Sequence, residues 1–284
     1  MILNVNKPKD YTSRDVLNVM SKYLKCKKIG HTGTLDPIAT GVLIVVTEED
    51  TKFVDMLTST DKEYIATVRM GIKTDTLDVT GKVIEEKPVN VTKEQLVQVL
   101  NSFLGKTTQV VPAYSAVKVD GKKLYEYARA GEEVELPTRE IDVKEIELID
   151  FKDNLFIFRS IVSKGTYIRS LISDICEKLN TVGVMQELMR TKQGEYRIED
   201  SATLNDIEVG RYKPISLDTI IGKYPKEKVG GEKLKAIRNG ALVVKEFKDD
   251  YIVYVDEFDR IVAIYQTYDK DPSMAKPYIM YSIF

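Results

Sequence analysis

One histidine, His31, and two cysteines, Cys26 and Cys176, are all that 284 residues supply of the imidazole and thiol groups that bind transition metals. With no CxxC pair they match no usual zinc spacing, and the cysteines read as small buried hydrophobes. The P-loop pattern GxxxxGK[ST] is missing, and no acidic pair suggests a magnesium site. Chemistry without a metal is therefore expected, carried by carboxylates, hydroxyls, Tyr, Lys or Arg. The longest aliphatic run, Val42 to Val46, is far short of the roughly 20 residues of a membrane span. The opening MILNVNKPKD lacks the flank, apolar stretch and cleavage site of a secretory signal, so a cytoplasmic location is expected. Repeats of 20 to 50 residues and low-complexity tracts are also missing, which excludes solenoids and propellers.

What is present is ordinary globular material, 43% hydrophobic and 30% charged. The length allows one large body with a small appendage. A short strand is predicted at 2–5, then a helix capped by Thr12 or Ser13 with Val16, Leu17, Met20 and Leu24 on one face. Capping boxes are predicted at Thr47 with Asp50 and at Thr92 with Gln95, the second helix ending with Gly105 at its C′ position. A short helix is expected over 122–131, a hairpin over 139–162 turning at Asp153 and Asn154, and an amphipathic helix over 166–179. Strands and helices interleave without a repeating unit, which argues an α+β fold. A boundary is expected near KYPKEKVGG, giving domains 1–222 and 223–284. The second reads as one short helix followed by closely spaced strands ALVVK, YIVYV, RIVAIYQ and PYIMYSI, a small β-barrel.

The formal charge of -2 argues at face value against a nucleic-acid partner. Residues 1–30 nevertheless hold seven basic against two acidic side chains, residues 223–245 the same, and residues 131–150 eight acids against Arg139 and Lys144. Such segregation can build a basic face despite a near-neutral total.

The densest constellation is KIGHTGTLDPIATGVL, residues 28–43. Gly30, Gly33 and Gly41 permit close approaches or unusual backbone conformations, and Pro37 restricts Asp36 to extended geometry. An aimed aspartate results, with His31 as a flat ring nearby. By themselves these residues also fit a structural turn with an Asx motif.

GHTGTLDPxATGVL resembles the catalytic motif of the TruB family of tRNA pseudouridine synthases. KPKDYTS (7–13), KEY (62–64), MGIKTDTLDVTG (70–81), SAVKVDGKKLYEYARAG (115–131), SKGTYIRSLISDI (163–175) and LMRTKQGEY (188–196) follow in that family's order. Asp10 stands where the family usually has Gly, and Met189 where an Arg is common. The resemblance implies a pseudouridine synthase fold with a mixed, mainly antiparallel sheet, and a C-terminal RNA-binding domain of PUA type. It implies isomerisation of uridine 55 in the T loop of tRNA by base flipping, with no cofactor and no metal. Asp36 would be the essential carboxylate, Arg169 its partner, and Tyr64 the ring against the flipped base. His31, Lys7, Thr34, Lys52, Lys118, Lys122, Lys123, Arg129 and Arg190 would face the RNA. The partner implied is the T-arm stem-loop, with no membrane, no obligate protein partner and a monomeric state. Two other readings compete: an RNA-binding or tRNA-folding chaperone with vestigial catalytic residues, and a guide-RNA-dependent relative, which the short tail disfavours.

Overall fold

The computed structural model describes residues 1–281 and divides into two compact units, Met1–Pro214 and Ile215–Phe284. The division falls eight residues before the expected 222/223 boundary.

The first unit is built on a nine-stranded sheet. Its main path runs Ile2–Lys7, Thr40–Thr47, Gly183–Gln193, Lys62–Met70, Leu155–Val162, Thr138–Lys152, Gly105–Val110. All neighbours on this path are antiparallel except Gly183–Gln193 beside Thr40–Thr47, where Met189 pairs Thr40 and Arg190 pairs Gly41. The expected mixed, mainly antiparallel α+β sheet is thus what the chain forms. Period-two alternation drives it. Tyr64, Ala66, Val68 and Met70 are buried while Glu63, Ile65 and Thr67 are half-buried and Arg69 exposed.

Two apolar clusters hold this unit. Helix Ser13–Leu24 lays Val16, Leu17 and Met20 against Leu3, Val5, Leu43 and Val45. Helices Lys93–Asn101 and Ile168–Lys178 bury Leu96, Leu100, Leu171, Ile172 and Ile175 against Ala66, Val68, Phe156 and Phe158. Thr12, one of the two expected caps, forms a capping box with Asp15, and the predicted box at Thr92 with Gln95 forms. At Thr47 no cap bond forms. Its hydroxyl instead accepts from the amino terminus at 2.9 Å, and a 3-10 turn Glu48–Phe53 precedes a five-residue helix, Val54–Thr58. Gly105 also departs from expectation. The helix before it ends at Ser102, and Gly105, at φ 91°, opens a strand. The hairpin turns at Asp153 as predicted, with φ 52°.

The second unit carries a five-stranded sheet in the order Lys226–Lys228, Tyr251–Val255, Ile261–Tyr268, Asp271–Met280, Val243–Val244. Its two edge strands do not pair, so the expected barrel is a curled half-barrel, consistent with a PUA-like domain. Helix Gly231–Arg238 contributes Ile237 to a core with Tyr254, Val262 and Tyr265. The last residues of the predicted strand PYIMYSI lie outside the described residues.

Candidate active site

The loop between strands Ile29–His31 and Thr40–Thr47 is pinned nearly residue by residue. Thr32 donates its N–H to the Ile44 carbonyl at 3.1 Å, and its hydroxyl receives Gln193 Nε2 at 2.5 Å. Arg190 Nη2 holds the Gly33 carbonyl at 3.0 Å and its Nε the Val42 carbonyl at 2.6 Å. Ser13 Oγ accepts from Leu35 N at 2.9 Å. The Pro37 carbonyl takes both the Asp10 N–H at 2.9 Å and Lys7 Nζ at 3.2 Å. Four separate chain segments thereby fix where Asp36 stands. Gly41 is the glycine whose freedom this needs: φ is 102°, and a Cβ there would sit 2.2 Å from the Arg190 carbonyl oxygen. Gly30 and Gly33 have no such φ.

Arg169 reaches Asp36 from the first turn of helix Ile168–Lys178. That helix start is held from the strand Gly105–Val110. Gln109 accepts from Tyr167 N at 2.8 Å, donates to the Tyr167 carbonyl at 3.1 Å, and Ser170 Oγ donates to the Val110 carbonyl at 2.9 Å. The guanidinium then meets the carboxylate at two points, Nε to Oδ2 at 2.9 Å and Nη2 to Oδ1 at 3.1 Å. Two further donors go to the carbonyls of Thr76 at 2.9 Å and Tyr114 at 3.0 Å. Such a planar two-point contact suits Arg and not Lys.

Burial pushes the Asp36 carboxyl above its ordinary pKa, opposed chiefly by Arg169, with Asp78 adding to the rise and Lys7 opposing it. Arg169 is 5% exposed. Neutralising Asp36 would strand that guanidinium as an unpaired buried cation, a loss of several kcal/mol. Arg169 thus favours the ionised form against burial, and 30% of the Asp36 side chain is open to the adjoining cavity.

That cavity, about 480 Å³, is walled by Asp36, Arg169, Tyr64, Tyr114, Leu188 and the 163–168 segment. Asp36, Tyr64 and Arg169, distant in sequence, thus share one wall. Tyr64 is buried, with its hydroxyl 3.5 Å from Arg190 Nη1, at the edge of hydrogen-bond range. Among the described residues, no group of three or more His, Cys, Asp or Glu is arranged to hold a metal ion.

A TruB family pseudouridylate synthase model, for the family's N-terminal domain, matches residues 21–168. A tRNA pseudouridine synthase B of Bacillus cereus is 40% identical over 292 aligned positions, covering 97% of this chain and 95% of its own length. The chain belongs to the TruB family. A second TruB-family relative, the tRNA pseudouridine synthase B of Caldanaerobacter subterraneus, is 45% identical and covers 85% of each chain. Among solved structures, one chain of a Cbf5-Nop10-Gar1 complex superposes with a TM-score of 0.71 at 25% identity, covering 98% of this chain and 85% of that one. The protein of an H/ACA RNP bound to a substrate RNA, at 0.69 and 23%, shares the fold.

The remaining TruB-type residues divide by exposure. Thr34 is exposed on the cavity wall, and Lys52, Lys118 and Arg129 are exposed. Lys52 pairs with Glu49 at 2.8 Å, Lys122 with Glu132 at 2.7 Å over the Tyr127 ring, while Lys123 and Arg129 lie over the Tyr125 ring. Two expected RNA contacts point inward instead. Lys7 is fully buried, its ammonium spent on the carbonyls of Pro8, Tyr11 and Pro37, and Arg190 is 1% exposed with its guanidinium on Val42 and Gly33. Both positions are charged and neighbour the motif, but their charge is used to hold the Asp36 loop.

His31 is half-buried, its Nδ1 accepting from Gly33 N at 3.3 Å. Burial, with Arg190 and Arg14 nearby, lowers its pKa to about 4, so the ring is neutral at physiological pH. Met189, in place of a family Arg, is 40% exposed. Three cations that line the cavity were given no role by the motifs, although Lys62 and Lys164 stand inside two of them: Lys62, Arg139 and Lys164. The signal for Lys62 was its spacing, two residues before Tyr64 on a strand and so on the same face.

Proposed function

We propose that this chain is a stand-alone tRNA pseudouridine synthase that converts uridine 55 of the T loop to pseudouridine. What carries the proposal is the Asp36 carboxyl group, locked at two points by Arg169 and open to a cavity walled by Tyr64, in a TruB-family chain. The reaction breaks the bond from ribose C1′ to uracil N1, rotates the base and joins C1′ to C5. N1 gains a proton and C5 loses one, so nothing is oxidised and no group is imported.

The target uridine must leave the folded loop to reach the cavity. Tyr64 presents its ring to the extruded base, where stacking contributes about 1 to 3 kcal/mol. Asp36 acts as an anion, as nucleophile at the ribose or as base, and both routes need the ionised form that Arg169 maintains. His31, neutral and flat, fits stacking in the space the base vacates rather than proton transfer at pH 7. The exposed cations of the 115–131 segment face the T arm, so affinity falls as salt rises. The protein acts as a monomer in the cytoplasm. Among the described residues no helix is long and apolar enough to cross a membrane.

The test is incubation of the purified protein with an unmodified tRNA transcript, followed by mapping of pseudouridine. Product at position 55 that disappears with Asp36→Asn is expected. A product that forms only after adding guide RNA and protein partners would favour the guide-dependent reading. Activity surviving in Asp36→Asn would remove that residue from the chemistry.

A further inference from the structure

Lys62 is a buried cation lining the cavity that no carboxylate meets. It is 6% exposed, and no Asp or Glu lies within ion-pair distance of it among the described residues. Its Nζ donates to the carbonyls of Thr58 at 2.6 Å and Thr60 at 2.5 Å. An ammonium has three N–H donors, so one is left without an acceptor beside the cavity that Lys62 lines. Arg169 is neutralised by Asp36, whereas Lys62, like Arg190, is held by carbonyls and carries no counter-charge. Buried charges are normally paired, because desolvating an ion alone is expensive. A cation held ready in this way awaits an anion from outside the chain.

The position of Lys62 on the strand says which anion. Lys62 and Tyr64 lie on one face of Lys62–Met70, two residues and so about 6.6 Å apart along it. With a pyrimidine against Tyr64, that offset matches the reach from a base to the backbone of its own nucleotide. The anionic group of a nucleotide is its phosphodiester.

Resting on the reading of this site as the pocket for a flipped uridine, we propose that Lys62 binds a phosphodiester flanking that nucleotide. It completes its third hydrogen bond and its charge balance only when the base has left the stack. Lys62 is then a binding residue specific to the extruded state. Lys52, Lys118 and Arg129, being exposed, can meet RNA before extrusion.

A cycle with T-arm stem-loops bearing one neutral methylphosphonate linkage, 5′ or 3′ of the target uridine, tests this. Dissociation constants and single-turnover rates are measured for the wild type and Lys62→Met. In the wild type, one of the two substitutions is expected to weaken binding or slow turnover by about 10-fold or more, the scale of a charge-assisted hydrogen bond. With Lys62→Met that same substitution should cost less than twofold further. If both linkages are neutralised without effect on the wild type, Lys62 meets no phosphate, whether or not the variant folds. Losses that multiply independently would mean that Lys62 only braces the 58–60 turn. A wild type that makes no pseudouridine in the unmodified stem-loop overturns the enzymatic reading itself, a result distinct from either of these.

Discussion

Replacing Arg190 by Met separates the two uses a basic residue in this motif can have. In the structure its guanidinium is sealed from solvent, bonded to the Val42 carbonyl at 2.6 Å and the Gly33 carbonyl at 3.0 Å. Each charge-assisted bond contributes about 1.5 to 3 kcal/mol. Methionine fills much of the volume but leaves both carbonyls without a donor, while the protein no longer has to bury a cation. A net destabilisation of about 3 kcal/mol follows from these opposing changes. With an m-value near 3 kcal/mol/M for a body of this size, the urea midpoint falls by about 1 M. Far-UV circular dichroism during urea titration reads that shift. Fluorescence anisotropy with a T-arm stem-loop at several KCl concentrations reads the other possibility. A phosphate contact would leave stability within about 0.5 kcal/mol and lower the salt slope by about 1. That second pattern would refute the assignment of Arg190 to the loop scaffold.

Asp10 sits at φ 66°, in the left-handed region that the family's usual Gly occupies freely. Asp10→Gly should raise stability by about 0.5 to 1 kcal/mol in the same titration, the relief of strain less the extra chain entropy of glycine. Gly41→Ala, by contrast, drives a Cβ into the Arg190 backbone and should cost roughly 3 kcal/mol, with loss of turnover as the loop shifts. His31 is the single histidine, so its ring protons are identified in a proton NMR titration without mutagenesis; a midpoint near 4 is expected, and one near 6.5 would contradict its burial. Between those values the unfolded chain takes up a proton that the native state refuses, so stability falls as pH drops from about 6.5 to 4. Burial, with Arg190 and Lys164 nearby and Asp61 opposing them, lowers the pKa of Lys62 to about 8. Stem-loop affinity should therefore decline as pH rises through 8, and the part of that decline due to Lys62 should vanish in Lys62→Arg, because Lys7 titrates in the same range.

Much of the site was legible from order and spacing. The KIGHTGTLDPIATGVL loop, KEY and SKGTYIRSLISDI named Asp36, Tyr64 and Arg169 before any contact was known, and the structure brings all three to one cavity wall. The cap at Thr12 or Ser13 and the capping box at Thr92 were equally readable, because a cap is settled within four residues. Thr47 had the same local pattern, yet the amino terminus, distant in sequence, took its hydroxyl. Lys7 and Arg190 mark the limit on the functional side. A motif reveals that a cation is present, whereas its direction depends on which carbonyls the fold brings within reach.

By itself, then, the sequence determined the family and the α+β class and singled out Asp36 as the candidate carboxylate, since these reside in local patterns and in the order of motifs. Tertiary structure decided which cations are mortar for the Asp36 loop and which are not. Lys7 and Arg190 became mortar because unpaired loop carbonyls surround them. Lys62 kept a donor in hand because the strand that carries Tyr64 also delivers its ammonium to a cavity whose carboxylate, Asp36, is paired with Arg169. That distinction rests on burial and on the partners within hydrogen-bond distance, both of which arise only when remote segments of the chain are packed together.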